Sequence, residues 1–144
     1  MMKHVSYAHA YRQNSVQTAS PGQLILMLFD GALRFMNRAL AGFGENEVTQ
    51  RNEAVHVNLV KSQAIIGELQ ASLSHSAGGE FARTMSDLYE FMHAQLRQAN
   101  LRKVPAPVQV VIELLGELRG AWSAMLAQIE SQASLPKAWV ATAA

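Results

Sequence analysis

Two Glu-x-x-His motifs are the strongest candidates for chemistry in this sequence. Glu53 precedes His56 by three residues, and Glu90 precedes His93 by the same interval. Di-iron four-helix bundles use this motif on two helices and add one glutamate from each of the other two, so that carboxylates and imidazoles hold the metal pair. A di-iron enzyme is therefore the catalytic hypothesis to test against the pattern of the helices.

The hydrophobic periodicity places both motifs away from the predicted core. At about 100° per residue, Glu53 lies roughly 160° and His56 about 100° from the middle of the apolar stripe of their helix. The corresponding angles are about 180° for Glu90 and about 120° for His93. The other two predicted helices carry no glutamate on their apolar stripes. Metal ligands must point inward together, so we expect no metal, no cofactor and no enzymatic activity.

Composition argues against several other classes of function. The chain has 144 residues, no cysteine and a formal net charge of +1. It therefore lacks thiolate metal ligands and the basic surplus that is typical of nucleic-acid-binding proteins. No apolar run approaches the ~20 residues of a membrane span, and the N-terminal residues do not resemble a signal peptide. We expect a cytoplasmic protein with no nucleic-acid partner and no membrane insertion.

Four amphipathic helices account for most of the chain. The spacing of apolar residues and the positions of glycine and proline predict helices over residues 21–43, 49–73, 80–101 and 107–131. Short connections between helices of this length are typical of an antiparallel four-helix bundle, so the predicted fold class is all-α. We divide the chain into an N-terminal arm at 1–19, the bundle at 20–132 and a short flexible C-terminal tail at 133–144.

The start of the first helix has the clearest local signal in the sequence. Ser20 is a favoured N-cap, Pro21 a favoured first helical residue, and Gln23 stands where a capping box places Glu or Gln. We expect the side chains of Ser20 and Gln23 each to bond a backbone N–H group that the helix leaves unpaired.

Each helix also has a stripe of positions predicted to face the core, spaced three or four residues apart. The stripes are Ile25, Leu28, Phe29, Ala32, Met36, Ala39 and Phe43 in the first helix; Val55, Leu59, Ser62, Ile66, Leu69 and Leu73 in the second; Phe81, Met85, Leu88, Tyr89, Met92, Leu96 and Ala99 in the third; and Val108, Val111, Ile112, Leu115, Leu118, Trp122, Met125, Leu126 and Ile129 in the fourth.

The chain carries more apolar surface than these stripes need. Only 16% of its residues are charged, against roughly 25% in an average soluble domain. The first helix is apolar around its whole circumference from Leu24 to Phe29, and Val110 widens the stripe of the fourth. In the arm, Tyr7 and Tyr11 each combine an apolar ring with a polar tip. Two interpretations stay open: these residues bind another protein, or they complete the core or a homodimer interface.

Several segments, taken in order along the chain, resemble one known family. They are YRQNSV at 11–16, TASPGQLILMLFDGA at 18–32, GE at 79–80, LY at 88–89, QANL at 98–101, LL at 114–115 and AW at 121–122. Together they resemble the FliS-type flagellin export chaperones, and the segment at 18–32 is long and specific. The tail after about residue 131 lies outside the resemblance.

The resemblance implies a fold and a function. Members are cytosolic four-helix bundles that bind the disordered C-terminal segment of new flagellin, prevent its premature polymerisation and deliver it to the flagellar type III export gate. Their N-terminal arm occupies part of the binding surface when cargo is absent. Carried onto this sequence, the resemblance implies protein-binding roles for Tyr7, Tyr11, Leu24, Leu28, Phe29 and Leu33.

One alternative partner class remains, namely a folded protein bound by a helical adaptor or anti-activator. The sequence does not determine whether the free protein is a monomer or a homodimer, which flagellin it serves, or how it contacts the export gate. Trp139 is unexpected in a flexible tail, and two interpretations are open: a chance aromatic residue, or one that docks back on an apolar groove.

Overall fold

The computed structural model describes residues 19–74 and 79–133. Within these ranges the chain forms four helices: α1 is Pro21–Gly42, α2 is Val48–Ser74, α3 is Glu80–Arg102 and α4 is Ala106–Ala133. Each predicted helix is confirmed with its ends within two residues of the prediction, and the described residues contain no strand. Tyr7, Tyr11 and Trp139 lie outside the described residues.

The helices form a ring in which each packs against two neighbours. Helices α1 and α3 both contact α2 and α4. Near the start of α1, Gly22 lies against Leu126 close to the end of α4, whereas at the end of α1, Gly42 lies against Ala54 close to the start of α2. The predicted antiparallel four-helix bundle is therefore confirmed.

The capping prediction for α1 is correct for one of its two bonds. The Ser20 hydroxyl accepts a hydrogen bond from the backbone N–H of Gln23 at 3.1 Å. The Gln23 side chain does not return to Ser20 as a capping box requires; its amide donates to Glu130 Oε1 of α4 at 2.6 Å. A charged acceptor makes the stronger hydrogen bond, so Gln23 joins two helices instead of capping its own.

Helix α2 begins at a cap that the sequence pattern did not indicate. The Glu47 carboxylate accepts hydrogen bonds from the backbone N–H groups of Thr49 at 3.0 Å and Gln50 at 2.8 Å. Both donors would otherwise lack a partner in the first turn. These bonds, the one from Gln50 foremost, hold the pKa of Glu47 below its usual value.

The core agrees with most of the predicted stripes. Its buried apolar side chains are Phe29, Ala32, Phe35, Met36, Ala39, Val55, Leu59, Ile66, Leu69, Tyr89, Met92, Leu96, Ala99, Val108, Val111, Leu115 and Leu126. Ser62 is buried among them, and its hydroxyl donates to the Asn58 carbonyl at 2.8 Å. A buried hydroxyl with its own acceptor avoids the cost of an unsatisfied polar group.

Three predicted core residues are exposed. Phe81 is 74%, Met125 41% and Ile129 51% exposed. Periodicity identifies which side of a helix is apolar, but it does not show how far along the axis a neighbouring helix covers that side. Phe81 stands in the first turn of α3, and the other two stand in the last third of α4. Leu126, which lies between them in the sequence, is still buried near Gly22 of α1, so the core at this end covers the α1 side of α4 but not Met125 and Ile129.

Phe35 was not predicted in the core but is only 2% exposed. The cationic groups of Arg34, Arg38 and Lys61 lie 5.8, 5.4 and 5.3 Å from the centre of its ring. Long basic side chains cover apolar surface with their stems and keep the charge in water. The buried face of α1 is therefore wider on the side of α2 than the apolar stripe alone indicated.

Glycine sets how closely α1 approaches α2. A Cβ atom on Gly31 would stand 3.2 Å from the Ile65 side chain, and one on Gly42 would stand 3.0 Å from the Ala54 Cβ and 3.3 Å from the Val55 backbone nitrogen. At Gly42 the neighbouring atoms belong to backbone and a Cβ, which cannot rotate away. The two helices pack at this distance only because residue 42 has no side chain.

We predict that Gly42→Ala destabilises the bundle although alanine favours helices. Overpacking against rigid atoms costs about 1–3 kcal/mol, which exceeds the gain in helix propensity. Gly67→Ala is the matched control, because a Cβ there meets nothing within 4 Å and alanine should gain up to about 1 kcal/mol inside a helix. Urea unfolding of both variants measures the difference; equal stabilisation by both would contradict the close-packing argument.

Candidate protein-binding surface

The residues proposed on α1 do not form an open apolar patch. Phe29 is only 2% exposed and belongs to the core. Leu28 and Leu33 are partly buried and pack against that core, and Leu24 is partly buried in the first turn. Phe29 could meet a partner only after rearrangement, whereas the three leucines could line the edge of a contact.

Hydrogen bonds show which flank of α3 faces α2. The Gln70 amide of α2 donates to Ser86 Oγ at 3.3 Å and to Glu90 Oε1 at 2.8 Å. Closer to the other end of the same pair of helices, His56 Nδ1 and Asn100 Nδ2 are 2.9 Å apart. These polar contacts mark the seam between α2 and α3.

Polar contacts likewise show which flank of α4 faces α1. Arg119 Nε lies 2.7 Å from Asp30 Oδ1, with both side chains about two-fifths exposed. This hydrogen bond raises the pKa of the Arg119 guanidinium. Near the end of α4, Glu130 Oε1 accepts a hydrogen bond of 2.6 Å from the side-chain amide of Gln23. Helix α4 is therefore joined to α1 through its polar flank.

The opposite flanks of α3 and α4 face each other, and both carry large apolar side chains. Phe91 stands five residues after Ser86, so it lies about 140° round α3 from the flank that faces α2; Phe81 lies about 80° from Phe91, towards the core-facing side of the helix. On α4, Val110 and Met125 lie about 180° and 120° round the helix from Arg119. In the ring of helices, the two neighbours of α3 are α2 and α4, and the two neighbours of α4 are α1 and α3. The side chains that lie away from the α2 and α1 flanks are therefore on the side where α3 and α4 meet.

These side chains form a surface that we call the α3/α4 groove. Its exposed members are Phe81, Phe91, Val110, Met125 and Ile129, with exposed fractions of 74, 44, 45, 41 and 51%. Partly buried Leu88, Leu114 and Leu118 pack against the core beneath them. Large exposed apolar side chains that share one surface are typical of an interaction site.

Sequence reasoning identified this groove only in part. Val110 was recognised as widening the stripe of α4, but Phe81 was placed in the core and Phe91 was not singled out. One usable signal was present: Phe91 is a large aromatic residue outside the core stripe of α3, about 140° round the helix from Ser86. Examining the flanks of the helix, and not only its inner stripe, would have found it.

Two of the four Glu-x-x-His residues make contacts across the seam between α2 and α3. Glu90 and His56 are exposed and bond Gln70 and Asn100 across that seam. Within residues 19–74 and 79–133, no group of three or more potential ligands is placed to hold a metal ion. Glu53 is also exposed, so these residues do not converge as a di-iron centre requires.

Two shifted pKa values reflect burial and not a catalytic arrangement. Burial raises the pKa of Tyr89 to about 12, which keeps its phenol neutral inside the core. Burial also lowers the pKa of His93, against an opposing effect of Glu90 and with a smaller contribution from Arg97.

No described helix is both long and apolar enough to cross a membrane.

Comparison with known proteins places this bundle in a family. The family model described as flagellar protein FliS matches residues 2–129. The chain belongs to the FliS family. It is similar to the flagellar secretion chaperone FliS of Salmonella typhimurium, with 36% identity over 131 residues that cover 90% of each chain.

Two further relatives support the same assignment. The flagellar secretion chaperone FliS of Bacillus subtilis is 36% identical over 113 residues, which are 78% of this chain and 80% of the relative. That of Escherichia coli is 33% identical over 122 residues, which are 84% and 87% of the two chains. The resemblance read from the sequence is thereby confirmed at the level of the family.

The lowered pKa of His93 predicts a loss of stability in mild acid. Folded chains bind a proton at His93 less readily than unfolded chains, so stability is full above the unfolded pKa of about 6.5 and falls as the pH falls through it. We expect His93→Gln to lose less stability than the unmodified chain between about pH 7.5 and about pH 5.5. Urea unfolding at both pH values, with His56→Gln as control, measures this; an equal loss in the His93 variant would contradict it.

Proposed function

We propose that this chain binds the disordered C-terminal segment of flagellin in the cytoplasm, prevents its premature polymerisation and delivers it to the flagellar type III export apparatus. Membership of the FliS family supports a role in flagellum assembly, and the relatives carry the name of flagellar secretion chaperones. The observation that carries the proposal is the α3/α4 groove. The groove offers an apolar surface against which an unfolded segment can bury its own apolar side chains.

The groove suits a segment that becomes helical as it binds. An amphipathic helix laid in a groove contacts it through side chains spaced three and four residues apart. Phe81 and Phe91 are ten residues apart on α3, which separates them by about 15 Å along the axis. A partner helix of several turns is needed to cover both. Binding covers the apolar face of flagellin's segment. Because folding the segment into a helix costs free energy, the affinity stays moderate enough for release.

The residues first proposed on α1 keep a secondary place in this function. We propose that Leu24, Leu28 and Leu33 line the edge of the cargo contact as the segment wraps past α1, and that Phe29 takes part only through the core. Tyr7 and Tyr11 are proposed to lie over part of the binding surface in the absence of cargo. Delivery also requires contact with a component of the export gate.

The decisive test is titration calorimetry with the last ~40–50 residues of flagellin from the same organism, a length able to wrap the bundle at ~1.5 Å per helical residue. We expect saturable 1:1 binding, with the peptide becoming helical by circular dichroism.

Phe91→Ser should weaken binding at least about tenfold, because a central aromatic contact is worth about 2 kcal/mol.

Val48→Ser is the matched control for Phe91→Ser. Val48 is 55% exposed, a little more than Phe91 at 44%, but it stands at the start of α2 and outside the groove. We expect it to bind like the unmodified chain. Equal affinity of both variants would exclude the groove as the cargo site. Absence of any binding, even after removal of residues 1–19, would instead favour a helical adaptor for a folded partner or a homodimer interface.

A further inference from the structure

Three of the five exposed side chains of the α3/α4 groove stand at one end of it. Phe81, Met125 and Ile129 form what we call the Phe81 cluster, and their exposed fractions are 74, 41 and 51%. Met125 and Ile129 are four residues apart, so they share one face of α4. Phe81 stands in the first turn of α3, and α3 begins at the end of the bundle where α4 finishes, because the two helices are antiparallel.

We propose that the C-terminal segment of this same chain, residues 134–140, docks on the Phe81 cluster through Trp139. The last helix ends at Ala133, only four residues after Ile129. The chain that follows contains Leu135, Trp139 and Val140, and Lys137 is its one charged side chain up to residue 144. An apolar surface and an apolar segment therefore stand next to each other along the chain.

The reach of the segment restricts it to this end of the groove. Trp139 follows Ala133 by six residues, which span at most about 20 Å when extended. Met125 lies eight residues back along α4, about 12 Å from Ala133, and is within reach. Val110 lies 23 residues back, about 35 Å, and is beyond it. Pro136 disfavours continuation of α4 through the segment.

The chemistry of Trp139 matches the cluster. An indole ring is the largest apolar side chain, and its N–H needs water or an acceptor when the ring packs. At the rim of an exposed cluster the ring can cover Phe81, Met125 and Ile129 while the N–H stays solvated. The match to the FliS family model ends at residue 129, so this docking is inferred from the residues of this chain and not from the family.

The docking does not depend on the proposed function, since it concerns the free chain. If flagellin does bind along the α3/α4 groove, the segment competes for one end of it, and removal of residues 134–144 should raise the affinity. That consequence is measured separately from the docking itself. Failure of the docking would leave cargo binding untouched, and failure of cargo binding would leave the docking untouched.

Methyl NMR of the whole chain tests the docking. With labelled Met, Ile and Val methyl groups, Trp139→Ala should shift the Met125 and Ile129 signals, because an aromatic ring perturbs the methyl groups that it covers. Val110, 45% exposed at the other end of the same groove, is the internal control and should not shift. Unchanged Met125 and Ile129 signals would overturn the proposal.

The reverse experiment guards against an indirect effect. Ile129→Ser should move the Trp139 indole N–H signal towards its position in a short peptide of residues 134–144, whereas Val110→Ser should leave it in place. Both substitutions remove exposed side chains, so the fold is retained. Shifts that disappear on dilution would identify a second copy as the occupant and would overturn docking within one chain.

Discussion

The bundle depends on the close approach of α1 to α2, which Gly31 and Gly42 permit. A Cβ at residue 42 would stand 3.0 Å from that of Ala54, so the two helices meet almost backbone to backbone. The two adjoining seams are joined differently, α1 to α4 by Asp30–Arg119 and α2 to α3 by the bonds of Gln70. Exposed pairs of this kind contribute little energy, but they fix which flank of each helix faces its neighbour. The apolar flanks of α3 and α4 are left facing each other, and the core does not cover all of them.

The sequence was sufficient to predict where the helices lie but not where the core ends. Apolar spacing, Ser20 and the glycine and proline breaks predicted all four helices closely, because these signals act within one helix. Burial depends on the neighbouring helix, and this is where the predictions were wrong. Phe81, Met125 and Ile129 have core-like spacing, but they stand near the ends of α3 and α4 and are exposed. Phe35 lies beyond the stripe yet is covered by basic side chains from α1 and α2.

The same distinction explains the outcome for function. Family membership came from long motifs such as the one at residues 18–32, and the match over residues 2–129 bears it out. The contact residues could not be read in the same way. Motif residues on α1 are largely packed against the core, whereas the exposed apolar surface lies on α3 and α4. A motif that is specific to a family can identify the fold more directly than it identifies the binding surface.

The central claim is that flagellin's C-terminal segment lies in the α3/α4 groove, and site-specific photo-crosslinking tests it most directly. A benzophenone amino acid placed at position 91 should crosslink to the last ~40–50 residues of full-length flagellin, a segment long enough to cover the groove at ~1.5 Å per helical residue. The same probe at position 48, exposed on α2, should give no such product. Crosslinking from position 48 and not from position 91 would contradict the account and place the cargo on another face of the bundle.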